Sequence, residues 1–282
     1  MLDIQRMAHH TVDMKTLLLS LSLLLASPTL IAGGFSPDAQ RAIAALEKFN
    51  SGWNDMTATL DVTSDGKGSI QQHGVAKLQS VARADRSQKI LMRVESPPGA
   101  RGTGFLSHID SKGHMQQWLF IPATGRVMEV QTSGRSNPFL GTEFTFEDLA
   151  VHPARYQVTD SEEEDCMVEG KEYDCQVLTL TPAPDTSSYS RLDAWVNEED
   201  DRLRQVDFYN KDTLSKRLTL EDYGQFAGKH WLPQRLIMTN LKTGRSTVLL
   251  WQDVEFDTGL GEDAFVPDKL GEGAANTRIG PR

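Results

Sequence analysis

Hydrophobic and polar residues alternate with a period of two through most of the chain after residue 55. The first such stretch places Met56, Ala58, Leu60 and Val62 between polar neighbours. A period of two puts successive side chains on opposite faces of a sheet, and short turns between such stretches favour antiparallel pairing. The pattern predicts about 10–13 strands, with candidates at residues 56–63, 75–84, 89–95, 104–109, 115–121, 126–131, 156–159, 173–181, 191–196, 203–209, 214–223, 231–240 and 247–256.

Two segments have helical features. Ser36, Pro37 and Asp38 can begin a helix as cap, first residue and first-turn acid, and an apolar stripe of Ile43, Leu46 and Phe49 follows. Thr145 can cap a second, short helix over residues 146–149.

Many antiparallel strands with few helices predict a mainly β protein, built as a barrel or a strongly curved sheet. Side chains alone do not fill a barrel of this strand number, so helices or a ligand must occupy its mouth. The stripe on the N-terminal helix is the candidate plug. No linker divides the chain, and we expect one domain over residues 33–270 with a flexible tail over residues 271–282.

The N-terminal residues predict export. A charged segment around Met14 and Lys15 precedes an apolar run over residues 17–25 and a small-residue end at Ala32. This order is typical of a signal peptide, here residues 1–32, with Met14 as a candidate true start. The apolar run is short for a membrane span. An exported protein can form a disulfide, and we expect one between Cys166 and Cys175, with two free thiols as the alternative.

The net charge of the chain bears on which classes of partner it can bind. The formal net charge of −10 argues against nucleic acid, which needs a clustered basic face.

The segment Arg101–Leu149 is rich in apolar residues and fixed by glycines and prolines. Each of its large side chains is individually typical of a core. As a set on a wide curved sheet they predict the wall of an apolar pocket. With the stripe Ile43, Leu46 and Phe49, the lipid-contact candidates are Phe105, Leu106, Trp118, Phe120, Phe139, Leu140 and Phe144.

Three polar constellations offer alternatives. His108, Asp110 and His114 flank a predicted turn and could bind a metal ion in a hydrolase, although polar turns are common. Glu143, Glu147 and Asp148 are candidates for acid–base chemistry, but we expect Asp148 to cap a helix or to pair with Arg126 or Arg135. The acidic run at residues 161–165 lacks the ligand spacing of a calcium loop and predicts a solvated turn.

Three blocks of sequence resemble one known family. They are Gly102–Ser107 (GTGFLS), Trp118–Val127 (WLFIPATGRV) and Phe139–Leu149 (FLGTEFTFEDL), and shorter similar segments follow at Trp195–Val196, Lys216–Leu218 and Trp231–Pro233. In this order they resemble the LolA-like outer-membrane lipoprotein-sorting family, over roughly residues 53–270.

The resemblance implies an unclosed antiparallel β-barrel with helices across its open side. It also implies a periplasmic carrier, not an enzyme and without a cofactor, that binds acyl chains of a lipid or lipoprotein. A monomer is expected, with an RND-type inner-membrane transporter as a candidate partner and a transporter adaptor as the alternative role. The helix at residues 36–50 and the loop Ser133–Gly141 are the candidate lids.

Overall fold

The computed structural model describes residues 34–65 and 72–272. The signal peptide prediction lies outside these residues, as does most of the expected tail. Within the described part, one α-helix is followed by thirteen strands: α1 (Pro37–Lys48), β1 (Asp55–Asp65), β2 (Gln72–Ala82), β3 (Gln88–Ser96), β4 (Gly104–Ile109), β5 (Met115–Ile121), β6 (Arg126–Glu129), β7 (Tyr156–Val168), β8 (Lys171–Pro182), β9 (Arg191–Asn197), β10 (Leu203–Asn210), β11 (Thr213–Phe226), β12 (His230–Asn240) and β13 (Ser246–Phe256).

All the described strands form one antiparallel sheet, in the order β6-β5-β4-β3-β2-β1-β13-β12-β11-β10-β9-β8-β7. Two meanders, β1–β6 and β7–β13, are joined where β1 pairs with β13, for example at Leu60 opposite Trp251. The strands at the two ends of this order, β6 and β7, do not pair with one another, so the barrel is unclosed, as predicted. Residues 130–155 connect these two ends.

Helix α1 begins as predicted. The Ser36 side chain accepts a hydrogen bond from the Ala39 backbone N–H at 3.1 Å, and proline occupies the first turn. The helix contacts β7, β8 and β9. Ile43, Leu46 and Phe49 pack against the main apolar core.

Two predictions about the chain after β6 are wrong. The acidic run at residues 161–165 is not a turn but part of β7, which continues to Val168 and turns at Glu169 and Gly170. Most of this strand segment is exposed at the end of the sheet, so it has no apolar alternation that could reveal it.

The second error concerns residues 146–149, which form hydrogen-bonded turns rather than a helix. Thr145 and Asp148 bond reciprocally: the Thr145 backbone N–H donates to Asp148 Oδ2 at 2.7 Å, and the Asp148 N–H reaches Thr145 Oγ1 at 3.4 Å. Such a pair resembles a helix cap, but the chain turns away after one turn. The nearby loop also pairs Pro138 with Thr145 in an isolated bridge.

Apolar residues are buried on both faces of the sheet. The larger cluster lies on the inner face, drawing residues from both meanders together with α1 and residues 139–150. The smaller cluster lies on the other face of β2–β5 and includes Phe265 and Leu270 from the C-terminal segment. We call residues 257–272 the C-terminal strap.

Candidate functional site

The inner face brings together several of the predicted pocket residues. Phe105 on β4 is 1% exposed and its ring lies 5.5 Å from that of Phe139, centroid to centroid. Phe146 completes the group, 5.3 Å from Phe139 and 6.0 Å from Phe105. Phe144 is buried in the same cluster. These contacts join the barrel wall to the segment that crosses it.

Three other candidates face away from this group. Leu106, Trp118 and Phe120 belong to or pack against the outer-face cluster. Phe105 and Leu106 are consecutive in a strand and therefore point to opposite faces. The predicted set of pocket residues is thus divided between two apolar surfaces.

The C-terminal strap covers the outer-face cluster. Arg93 donates to the backbone oxygens of Leu270 and Lys269, at 2.8 and 3.1 Å. Glu262 binds Arg83 and Lys89, and hydrogen bonding with these two cations lowers the pKa of the Glu262 carboxyl to about 2. The strap therefore has both an apolar anchor and an ionic one.

The remaining candidate, Leu140, is at the surface. Its side chain is 41% exposed, and its φ of 50° places the backbone in the left-handed region. Neighbouring Gly141 also has a positive φ of 81°. Two consecutive left-handed residues reverse the chain here, which turns Phe139 inward while Leu140 stays outside.

The segment from Thr132 to Arg155, which we call the cover segment, crosses between the two ends of the sheet. Besides its buried aromatic side chains, polar bonds to strands far away in sequence hold it. The Glu143 backbone N–H donates to Thr247 Oγ1 on β13 at 2.9 Å, and Gln117 on β5 donates to the Phe146 carbonyl at 2.8 Å. The segment is thus attached to both meanders without being a strand of the sheet.

Two buried ion pairs reinforce this attachment. Arg155 and Glu147, with side chains 1% and 3% exposed, lie 2.9 Å apart. Glu147 also accepts bonds from the Ser188 backbone N–H and hydroxyl at 2.9 and 2.7 Å, and from the Ser187 hydroxyl. This carboxylate is therefore fully engaged in holding the cover segment to the β8–β9 connection.

The second pair joins Asp148 to Lys216 on β11, at 2.6 Å. Tyr189 donates its hydroxyl to the other Asp148 oxygen at 2.8 Å. Burial and the Asp148 charge raise the pKa of the Tyr189 phenol, so it remains protonated and able to donate at neutral pH. Asp148 does not pair with Arg126 or Arg135, as the sequence had led us to expect, because the turn directs it at β11.

The sequence did not lead us to expect a functional role for Lys216, Tyr189 or Arg155. One signal was available for Lys216, which shares the parity of Leu218 and Leu220 in the alternating pattern of β11. A lysine in the apolar register of a strand indicates a buried charge that needs a partner. Its partner, however, lies about seventy residues earlier in the chain.

The alternative metal site is not assembled. The His108 ring bonds to the Phe265 carbonyl at 2.9 Å and makes an edge-to-face contact with Trp118, whereas His114 binds Asp110 within the turn at 2.8 Å. Since a carbonyl can only accept, His108 Nε2 carries a hydrogen. Across residues 34–65 and 72–272, no group of three potential ligands could hold a metal ion.

Cys166 and Cys175 form a disulfide across the β7–β8 hairpin, with their Cα atoms 5.9 Å apart. Cys175 lies opposite Glu164 in the register, two residues from Cys166, so the bridge is diagonal and both side chains share one face. The prediction of a disulfide is confirmed.

Solved structures share this architecture. One is a domain from Vibrio parahaemolyticus, described as an outer membrane lipoprotein-sorting protein domain. It is 31% identical to this chain, with a TM-score of 0.74 over 83% of this chain and 97% of that one. A DUF1329 family protein from Desulfovibrio piger is 20% identical, with a TM-score of 0.72 over 83% of this chain and 97% of that one. A LolA superfamily protein from Nitrosomonas europaea is 18% identical, with a TM-score of 0.60 over 82% of this chain and 99% of that one.

A family model described as "Uncharacterized protein" matches residues 86–272. No curated protein matches the chain. The identity and coverage of the Vibrio domain show the family, and the chain belongs to the LolA-like outer-membrane lipoprotein-sorting proteins. The unclosed antiparallel sheet is consistent with a LolA-like open barrel.

None of the helices in the described part of the chain is both long and apolar enough to cross a bilayer.

Proposed function

We propose that this protein is a periplasmic carrier that binds the acyl chains of a lipid or lipoprotein against its inner apolar face and transfers them toward the outer membrane. The observation that carries the proposal is the inner cluster itself. It is continuous across both meanders and is closed over by two elements, α1 and the cover segment, that lie outside the sheet. Membership of a lipoprotein-sorting family supports the same role. The proposal includes no chemical step.

The driving force is burial of methylene groups. Each contributes about 0.8 kcal/mol, so a chain of fifteen methylenes gives a gross gain of roughly 12 kcal/mol. In the structure this inner space is filled by Phe139, Phe144 and Phe146 of the cover segment. Cargo must therefore displace aromatic contacts that already bury apolar surface, and the net gain is much smaller. Return of the same side chains promotes release without an energy-consuming step.

Movement of the cover segment can be tested by cross-linking it to the barrel. The Glu143 backbone N–H lies 2.9 Å from Thr247 Oγ1, so thiols introduced by Glu143→Cys and Thr247→Cys would be neighbours that an oxidising reagent can join as a disulfide. The native cysteines are already disulfide-bonded and do not react. The cross-linked double variant should lose binding of a fluorescent fatty acid. Each single variant, treated with the same reagent, should retain it.

Two outcomes would contradict the proposal in different ways. If the cross-linked protein binds the fatty acid as well as the untreated protein, the cover segment is not a lid. If no form binds it, and native mass spectrometry of protein isolated from the periplasm finds no amphiphile, the carrier role is wrong.

An RND-type inner-membrane transporter is the partner suggested by the family resemblance, and an adaptor role is compatible with carriage. Affinity purification from detergent-solubilised membranes should recover such a transporter. Recovery of the carrier alone, under conditions that preserve a known transporter complex, would remove this part of the proposal.

A further inference from the structure

A cavity of about 330 Å³ opens at the end of the barrel where α1 finishes. We call it the rim cavity. It lies between the last turn of the helix, the β9–β10 turn and the start of β12, and its lining includes Lys48, Phe49, Trp53, Arg202, His230 and Trp231. It was not anticipated from the sequence.

The rim cavity is continuous with the inner apolar face. Trp53, Leu203 and Leu232 line the cavity and also belong to the inner cluster, against which Phe49 packs. The cavity thus has an apolar floor and an open, polar mouth. An amphiphile bound along the inner face could place its head at this end.

Two residues that line the cavity each carry a buried ring nitrogen without a partner. Trp53 Nε1 and His230 Nε2 make no hydrogen bond within the described part of the chain, although the residues are only 5% and 9% exposed. Both rings pack on Phe256, with centroids 6.0 and 4.4 Å away, which holds them in place. An indole N–H can only donate, so the missing partner of Trp53 is an oxygen acceptor. A buried donor without a partner is uncommon in folded proteins and calls for a ligand or water.

The mouth of the cavity is cationic in a protein whose net charge is −10. Four cations line it (Arg41, Lys48, Arg202 and Lys229), against two carboxylates, Asp200 and Asp201. Those carboxylates bind Arg202 at 3.0 Å and Arg41 at 2.9 Å.

The charges of the other two cations, Lys229 and Lys48, are not balanced by a carboxylate that lines the cavity. Lys229 pairs at 3.2 Å with Asp257, a residue that does not line the cavity. Lys48 is exposed and has no ion pair with any residue in the described ranges. The excess positive charge therefore faces the opening.

We propose that the rim cavity binds the anionic headgroup, a carboxylate or a phosphate, of an amphiphile whose acyl chain lies against the inner apolar face. This inference rests on the proposed carrier function and names the chemical class of its cargo. The Trp53 indole donates to a headgroup oxygen, His230 provides the second ring nitrogen, and Lys48 supplies the unpaired charge. The Arg202 guanidinium, 3.9 Å above the exposed Trp231 ring, forms the outer wall.

The test compares three ligands with the same sixteen-carbon chain: hexadecanoate, hexadecyl phosphate and uncharged hexadecanol. Wild-type protein should bind both anions at least about tenfold more tightly than hexadecanol, as expected for a partly buried charge-assisted hydrogen bond. Lys48→Met combined with Trp53→Phe should bring the three affinities to within about threefold of one another. Lys242→Met, which removes an exposed lysine from the β12–β13 turn at the far end of β12, is the matched control and should keep the wild-type preference.

The outcomes separate this inference from the carrier role. Equal binding of all three ligands by wild-type protein, or an unchanged preference in the double variant, overturns the headgroup site and leaves the carrier intact. Failure of every ligand to bind overturns both. Lys48→Met alone guards against misfolding of the double variant, because Lys48 is exposed, and it should lower the preference in part. Inorganic phosphate that binds as tightly as hexadecyl phosphate would assign the cavity to a free anion instead.

Discussion

The ion pair between Asp148 and Lys216 allows a quantitative test of how the cover segment is held. Both side chains are nearly buried, at 3% and 9% exposure, and their charged atoms lie 2.6 Å apart. Lys216→Met removes the cation and leaves the carboxylate with only the Tyr189 hydroxyl and the Thr145 backbone N–H. Breaking one side of a buried pair costs about 3–5 kcal/mol, because a desolvated charge remains.

Asp148→Asn in the same protein should recover much of that loss. The amide is neutral and can still accept the Tyr189 hydrogen bond, so the double variant has no uncompensated charge. The assay is urea unfolding of wild type, both single variants and the double variant, analysed as a double-mutant cycle. We expect a coupling free energy of at least about 2 kcal/mol.

A second measurement is needed to show that the lost stability is localised to the cover segment. In Lys216→Met, hydrogen exchange should accelerate at the backbone amides of residues 139–150 more than in β1 or β13. The control is Arg86→Gln, which breaks an exposed pair with Glu47 at 3.6 Å and should cost less than about 1 kcal/mol. Additivity of the two single changes to within about 0.5 kcal/mol would refute the reasoning.

Three further predictions concern other parts of the fold. Replacing Cys166 and Cys175 by alanine should lower the free energy of unfolding by roughly 2–3 kcal/mol, since their loop is short; equal urea midpoints in the two proteins would contradict this. Gly104→Ala should cost about 1–3 kcal/mol and loosen the C-terminal strap, because the new methyl would meet Leu270 atoms at 2.9 Å; unchanged proteolysis of the strap would count against it. Because the folded-state pKa of Glu262 is lowered from 4.5 to about 2, its stabilisation is complete above pH 4.5 and is lost as pH falls toward 2. The stability difference between wild type and Glu262→Gln should therefore shrink over that interval, and a difference that does not depend on pH would disprove the assignment.

Strand positions were largely predictable from the sequence. Alternation depends on consecutive residues facing opposite sides of a sheet, and it located every strand of the described chain, although several ends differ. The strand β7 is much longer than predicted. Its second half is exposed at the end of the sheet and therefore has no apolar alternation.

Strand parity also indicates which face of the sheet each side chain occupies. It places Phe105 and Leu106 on different faces, so they could not line one pocket together. The sequence did not show which segments cover the two faces of the sheet. Phe139 and Phe146 contact Phe105 from a loop, and Leu270 reaches the outer face from the end of the described chain, so neither contact follows from strand alternation.

The sequence by itself determined the strands, the start of α1 and an apolar excess large enough for two buried surfaces. Only the tertiary structure decided that Asp148 meets Lys216 and that Trp53 and His230 line one cavity with unpaired nitrogens. The physical reason is the range of the interactions. Alternation and capping act between residues a few positions apart, whereas these contacts join strands distant in sequence, whose register and curvature follow from the packing of the whole sheet.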